Sequence, residues 1–568
     1  MGKMYLLLLL SLFLAITSIY GSTIYVPGNY FTIQKAIDNA NPGDVIVVRD
    51  GTYYERIIIS KSITLKSEHG PERCIIDGEG AGDVVTVKED NVVIEGFTIK
   101  NSSNYSAGIK VSSHNTVIKN NYILNNCIGI YLWHSQENVI TNNTIVKNSW
   151  RAIKLEYSGH NYIENNYIRD NNNGICILYS NDNTIRSNVF VNNSILIEGW
   201  EIGHWIHRID YNTVNGKPLY YFRDKVGVDI PEDASQVILV NCRDIVVKNL
   251  NISNTDVGVT AAYSSNITVR NITLRNNSNG IYLWYSGDSV IEDNVIGEID
   301  GKGVHLWHSY NSTVRDNCIV DSWIGVKLDY SKDIEVEGNV IHGNNIGVYT
   351  SISDKSTVRD NNIGDSWIGV KLDYSKDIEV EGNVIGGNGD RGIFLRYGDN
   401  NTLRYNNILY SKWGVYLINS HNNRIYLNNF INNSKNAYTC YSENNSWHSP
   451  ERITYIYRGV EYTNYLGNYW ADYYGRDVDG DGIGDVHYRI DWYYVDKYPL
   501  IETFDHYMLY SPGKTVAEDI KSEKIREFVA RAEVIVGSEI DLNLSARYLK
   551  TEVELVDKPI EIKKDCIL

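Results

Sequence analysis

Residues Asp321–Ile341 read DSWIGVKLDYSKDIEVEGNVI, and residues Asp365–Ile385 read the same letters again, 44 residues later. That offset is twice a shorter period. A motif of Gly, Ile or Val, any residue and Leu starts at Gly129, Gly280, Gly303, Gly325, Gly369, Gly392 and Gly414. Looser copies start at Gly108, Ala152, Gly174, Gly258 and Gly347, and within each run neighbours stand 21 to 23 residues apart. A fixed short period marks a stack of repeated supersecondary units. The chain has grown by copying two whole units at once.

Each unit reads as three short strands. In the unit at Gly129 they are Ile130–Trp133, Val139–Ile140 and Thr144–Val146, with Ser135 and Asn138 at one turn and Asn142 and Asn143 at the next. Alternation sends Ile130 and Leu132 to one face, Tyr131 and Trp133 to the other. Strands this short cannot bury an apolar face alone, so successive units must stack as coils about 4.8 Å apart. Stacking puts Asn138, Asn161 and Asn183 in one row and Asn121, Asn143 and Asn166 in another. Aligned Asn side chains bond along a stack and hold its corners, so these are structural. The fold class expected is all-β, a right-handed parallel β-helix solenoid. Leucine-rich repeats would need several spaced Leu per unit, and propeller blades about twice the length.

Composition agrees. The 568 residues include 44 Tyr, 45 Gly and 12 Trp but only 9 Pro and 3 Met, a mixture that suits strands and turns. A net charge of −17 speaks against a nucleic-acid partner, since phosphate binding needs a basic surface. The seven Cys form no C-x-x-C pair, which leaves zinc ribbons, thioredoxin chemistry and haem attachment without support.

Residues 1–21 carry Lys3, an apolar run from Tyr5 to Ile16 and small residues up to Gly21, the pattern of a secretory signal peptide. The run is short for a bilayer span, so no membrane span is expected after cleavage, and the chain is expected to be secreted or at the cell surface. Residues 22–194 read as N-terminal coils, closed by a short amphipathic helix within Phe31–Ala40. Residues 195–240 break the period and read as an inserted hairpin turning at Asn215-Gly216. His204 and His207, three apart in that stretch, show no third ligand and read as packed polar residues. Residues 241–437 resume the coils, 438–510 form a Tyr/Trp-rich module, and 511–568 read as a small α+β tail.

Two places could carry chemistry. In Asp477-Val-Asp479-Gly-Asp481-Gly482-Ile483-Gly-Asp485, oxygen ligands at positions 1, 3, 5 and 9, with a backbone carbonyl from Ile483 at 7, suit a structural calcium ion. Tyr488 stands where an EF-hand would have its bidentate Glu, and Asp491 is the candidate replacement. The second place is the outward row of first-strand residues: Tyr131, Trp133, Tyr282, Trp284, His305 and Trp307, later Tyr349, Phe394 and Tyr416, interleaved with Lys327, Asp329, Lys371 and Asp373. Such a row can stack on sugar rings and bind a polysaccharide, or the aromatics can simply stabilise the sheet by stacking across coils. Asp329 and Asp373 lie two coils apart, about 10 Å, beyond the usual glycosidase separations. No catalytic residue is assigned. Thirteen Asn-x-Ser/Thr sequons, including Asn101, Asn142, Asn266, Asn311 and Asn444, are candidate glycan attachment points.

The coil pattern in GIYLWHSQENVITNN and GIYLWYSGDSVIEDN resembles the NosD-like β-helix family, related to the pectin-lyase-like superfamily. The opening FTIQKAIDNANPGDVIVVRDGTY, the segments NTVNGKPLYYF and QVILVNCRDIVVKNLNIS, and the C-terminal NYWADY with DVDGDGIGD are also similar to such chains, the last to a module of archaeal surface proteins. The resemblance implies the β-helix fold. It also implies a copper-site maturation role for the family's namesake, although no copper-ligand cluster is visible here. The Asp-Asp pair with Gly-His-Gly of polygalacturonases and the Arg-x-Pro-x-x-Arg of pectate lyases are both missing. The expectation is therefore a surface β-helix that binds carbohydrate or envelope components without catalysis. Its alternatives are a polysaccharide lyase or hydrolase of unrecognised type and a NosD-like copper accessory protein.

Overall fold

The computed structural model describes residues 21–511 together with 514 and 515. The signal-peptide reading lies outside the described residues. So does the tail, apart from the pairing of Tyr507–Ser511 with Lys514–Thr515. The chain forms two compact units, the first mainly the residues up to Arg223 and the second mainly those from Gly258 on, with 224–257 divided between them. It is a right-handed β-solenoid of about 19 turns, 52% strand and 3% helix.

In the first unit, first strands build a seven-stranded sheet from Ile57–Ile59 to Ile195–Glu198, and second strands a nine-stranded sheet from Thr23–Val26 to Arg208–Asp210. Like lies over like. Ile130 pairs with Ile109 and Ile153, Ile140 with Ile118 and Ile163, and Ile145 with Ile123 and Ile168, all fully buried. The helix α1 (Ile33–Asn39) starts where Thr32 accepts a hydrogen bond from the Lys35 N–H, and it buries Ile33, Ala36 and Ile37. In the second unit Ile281, Val304, Val326, Val348 and Val370 make the equivalent buried column.

The repeated Gly is a matter of space. A Cβ on Gly325 would stand 2.7 Å from the Gly347 carbonyl oxygen and 2.8 Å from Cγ2 of Ile341, and Gly369 meets the same obstruction from Gly392 and Ile385. Any side chain there would push adjacent coils apart.

Asparagine holds the corners. Asn143 Nδ2 donates to the carbonyls of Thr141 and Ile118 and to Oδ1 of Asn166, at 3.0, 2.9 and 3.0 Å. Its own oxygen accepts from the backbone and side chain of Asn121. In the second unit the same bonds run from Asn294 through Asn317, Asn339, Asn361, Asn383 and Asn406 to Asn428.

Both breaks in the period are shorter than the sequence suggests. Ile195–Glu198, Arg208–Asp210 and Thr213–Val214 pair in parallel with the preceding coil, so coiling runs to Val214 rather than stopping at 194. The extra residues between strands hide the period without breaking the ladder. The hairpin turns at Asn215-Gly216, pairing Val214 with Lys217, and its second arm Lys217–Arg223 then pairs in parallel with Gln236–Val240. Past 437, the strand Lys435–Cys440 completes its coil, and Tyr469–Trp470 returns to the third-strand sheet after the antiparallel excursion Ile453–Tyr457 and Val460–Asn464.

His207 occupies the rung after Asn183. Its Nδ1 accepts the Asn183 N–H at 3.2 Å and its Nε2 lies 3.0 Å from the His204 carbonyl, so it is an Asn substitute and not a metal ligand. Burial lowers its pKa to about 4. Between pH 6.5 and 4 the unfolded chain takes up a proton that the folded chain refuses, so this stability is full above pH 6.5 and is lost as pH falls toward 4. Urea unfolding of the first unit at pH 7 and 4.5 should show about 2 kcal/mol more acid destabilisation in the native chain than in His207→Asn. Equal losses in both would remove His207 as the cause.

Candidate functional site

The outward face of the first-strand sheet in the second unit is organised in three columns that run from coil to coil. The middle column is Tyr282, His305, Lys327, Tyr349, Lys371, Phe394, Tyr416 and Tyr438, fixed by strand register. The column before it holds Lys302, Ile324, Ile346, Ile368, Arg391, Trp413 and Lys435, and the column after it Trp284, Trp307, Asp329, Ser351, Asp373 and Arg396. Ile324, Ile346, Ile368 and Phe394 pack together, with Tyr349, Tyr416 and Ile418 against them. The outer face thus carries its own apolar stripe beneath long cationic side chains, whose stems can lie on apolar surface while their heads reach water.

The exposed aromatic row expected from the sequence is not what this face presents. Tyr282, Trp284 and His305 are 4%, 7% and 4% exposed, and Asp329 and Asp373 are buried. The cause is cross-coil packing: Trp284 stacks on Trp307 at 5.1 Å, and His305 meets Tyr282 edge-on at 4.8 Å. In the first unit, Tyr131 donates to Glu156 under the Lys154 ammonium, 4.5 Å above its ring, so that of the pair Tyr131 and Trp133 it is Trp133 that is exposed.

Asp329 and Asp373 occupy the same place in two identical stretches, yet their partners differ because the neighbouring coils differ. Asp329 lies 2.8 Å from His305 Nε2 and 2.7 Å from Lys327 Nζ. Burial drives the pKa of His305 down to about 4, so it is neutral and its Nε2–H donates to the carboxylate. Asp373 is gripped by both ends of the Arg396 fork, accepts from Tyr349 at 3.1 Å and faces Lys371 at 3.4 Å. Burial alone would raise both carboxyls, but the hydrogen bonds and charges of these partners hold both below the ordinary value. A glycosidase general acid needs a raised pKa, and this pair does not offer one.

A stacked ladder that strand-by-strand reading missed lies one residue beyond the first strand. Tyr263, Tyr285, His308 and Tyr330 stack at 5.1, 4.6 and 4.8 Å in the second unit, and His134, Tyr157 and Tyr179 at 4.9 and 5.2 Å in the first. All have left-handed φ near 50°. That conformation costs roughly 1–2 kcal/mol at a bulky residue, and a stacked pair returns about 0.5–1.5 kcal/mol. The rings cover one another's faces and show their edges to solvent, so this ladder supports the corner and is no platform for sugars. The dipeptide Tyr-Ser or His-Ser, repeated at each rung of these two stacks, was its sequence signal. The sequons Asn142, Asn266, Asn311 and Asn444 are likewise exposed left-handed corner residues.

In the Asp-rich loop, carboxylate oxygens of Asp477, Asp479 and Asp481 lie within 4.8 Å of one another. Asp477 accepts from the N–H groups of Gly480 and Gly482, at 2.7 and 2.9 Å. Burial first, and then the charges of Asp479 and Asp477, raise the pKa of Asp481. Asp485 turns to the Val478 N–H, and Ile483 is bridged to Leu500. Asp491 is bonded to Thr439 and to the N–H groups of Tyr493 and Tyr494, which occupies it at a separate turn.

Parallel coils with amide-bonded corners and a charged outer face define a β-helix repeat protein. The chain belongs to the NosD family, whose model, described as periplasmic copper-binding protein (NosD), matches residues 16–217, 208–345 and 300–475. It is 30% identical over 151 residues to a cell surface glycoprotein of Methanothermus fervidus, a match covering 26% of this chain and 21% of that protein. The chain thus spans about a fifth of that relative's length. Similar solved structures include the mannuronan C-5 epimerase AlgE6 A-module of Azotobacter vinelandii (12% identity, 73% of this chain, 94% of that one, TM-score 0.25). Another is the GH136 lacto-N-biosidase of Eubacterium ramulus (12%, 60%, 67%, TM-score 0.30).

The family description raises copper. Among the described residues, the groups of three His, Cys, Asp or Glu that converge are Asp50 with Glu68 and His69, and Asp477 with Asp479 and Asp481. Neither supplies sulfur or paired imidazole donors, so these sets do not fit copper. No helix of the described residues is long and apolar enough to cross a membrane.

Arg396→Met removes the fork from Asp373 and leaves Lys371 and Tyr349. The second unit should lose about 2 kcal/mol at pH 7, because a buried carboxylate loses its main donor while partial compensation remains. Asp373 stability is present above the unfolded pKa and fades as pH falls through the lowered folded value, so the difference from native should shrink below pH 4. Denaturant titration at pH 7 and 3.5 measures both.

Proposed function

We propose that the protein works outside the cytoplasm as a non-catalytic β-helix that holds an acidic polysaccharide on the outward first-strand face of its second unit. The observation that carries this reading is the distribution of charge. On a chain of net charge −17, the three columns of this face gather Lys302, Lys327, Lys371, Arg396, Lys435 and Arg391, the last paired with the flanking Asp390, against Asp329 and Asp373 within the columns. Both carboxylates are buried and taken up by their partners. A cationic strip on an otherwise acidic protein attracts polyanions and repels little of what surrounds it. The depressed carboxyl pKa values favour holding over general-acid chemistry.

Affinity electrophoresis through gels containing polygalacturonate, hyaluronan, chondroitin sulfate or neutral cellulose derivatives tests it. At least one acidic polymer should retard the native chain, with retardation falling as salt rises. Lys327→Gln with Lys371→Gln should weaken it about tenfold. Equal retardation by neutral and acidic polymers, or equal binding to a DNA duplex, would overturn the proposal.

The Asp477, Asp479 and Asp481 cluster is proposed as a structural calcium site in the C-terminal module, with Asp485 and the Ile483 carbonyl as the remaining ligands. Calcium at about a hundred times its Kd should stabilise the module by about 2.7 kcal/mol in thermal unfolding, and Asp479→Asn should cancel most of that increment. No calcium-dependent shift would retire this site.

A further inference from the structure

Two tryptophans take no part in the packing of the outer face. Trp323 and Trp367 hold the same position in the two copies of the duplicated block, at the corner leading into the first strand, and they are 59% and 54% exposed. Among the described residues neither indole stacks on a ring or lies beneath a cation, unlike Trp284, Trp307 and Trp413. A Cβ built on Gly389 would stand 3.1 Å from the Trp367 ring, so the backbone of the next coil seats one side of that indole and the other faces solvent. An indole open on one face, apolar in body and with a polar N–H, can stack on an apolar ring face.

Their spacing says what kind. Ile324 pairs with Ile346 and Ile346 with Ile368, so the two corners are separated by two coil rises, about 10 Å along the solenoid. That is the run of two pyranose residues in an extended chain. Between them the corner carries only Asn345. On the next two coils it carries Asp390, whose carboxylate is buried and held by Arg391 at 2.7 Å, and then Lys412, 3.7 Å from that carboxylate.

We propose that Trp323 and Trp367 are paired stacking platforms for a linear acidic polysaccharide running along the solenoid axis. Sugars two apart in the chain rest on the two indoles, and an anionic group farther along meets the exposed Lys412. This rests on the acidic-glycan reading above and gives it a binding line, a direction and a minimum length. The block duplication supplied the second indole, turning one stacking residue into a pair with a fixed repeat.

The test is fluorescence titration of the full chain with di-, tetra- and hexasaccharides of the acidic polymer that retards it most, using native protein, Trp323→Ala, Trp367→Ala and the double variant. Both rings are exposed, so thermal unfolding should be unchanged in all four. A hexasaccharide should quench native tryptophan emission and bind at least about tenfold more tightly than a disaccharide, since only the longer ligand spans both rings. Each single variant should lose most of that length advantage, and the double variant both the advantage and the quench. If the Trp variants match native affinity and quench while Lys327→Gln with Lys371→Gln is weakened, this inference falls and the acidic-glycan reading stands. If no acidic polymer binds the native chain, both fall.

Discussion

The side-chain amide of each corner Asn bonds to the Asn one coil away, and the rest of the molecule depends on that contact. Its Nδ2 reaches the carbonyl two residues back, a carbonyl of the preceding coil and the next amide oxygen, while its own oxygen takes the backbone and side-chain N–H of the rung behind. Leu in its place would leave buried backbone donors unmet, and Asp would lack the donor half. Each such bond contributes only about 1 kcal/mol, but the row repeats along both units and sets one register. With the register fixed, every other side chain must stack on its counterpart.

Stacking like on like has costs as well as benefits. The left-handed Tyr and His corners are strained one by one and tolerable only because a neighbouring ring waits at the stacking distance. Like charges would be intolerable in a column. The outer face of the second unit therefore interleaves Lys327 and Lys371 with Tyr349 between them, both ammonium groups lying over that ring, at 5.3 and 4.3 Å. The carboxylates Asp329 and Asp373 sit beside these lysines, with Ser351 between them in register.

The ladders also show what ends a solenoid. In the first unit the row Asn138, Asn161 and Asn183 closes on His207. In the second, Asn428 passes to Asn468, and Asp496 takes up Asn468 and the Trp470 indole N–H, at 2.7 and 2.9 Å. Burial pushes the Asp496 carboxyl up to about 6. Both of these terminal rungs are ionisable groups whose pKa burial shifts toward the neutral form, His207 downward and Asp496 upward.

The period, the buried aliphatic columns, the structural role of the Asn rows and the capping helix were legible in the sequence, because each follows from a spacing that repeats. Coil boundaries at the two breaks were not, since strands there pair across insertions that hide the period. Nor was burial on the outer face: alternation names the side a residue points to, but only the neighbouring coil decides whether anything covers it. The duplicated block shows the division most sharply. The same letters lie wholly in strand from Asp321 to Asp329 in the first copy, where Ser322 finds Ile299 to pair with, whereas in the second copy Asp365, Ser366 and Trp367 form a bend and the strand runs only Ile368–Asp373. They place one Asp against a histidine and the other against an arginine. Sequence determined the coil by itself, since local spacing sets which side each residue faces. The tertiary structure decided each residue's chemistry, because in a solenoid a side chain's partners come from residues about 22 positions away.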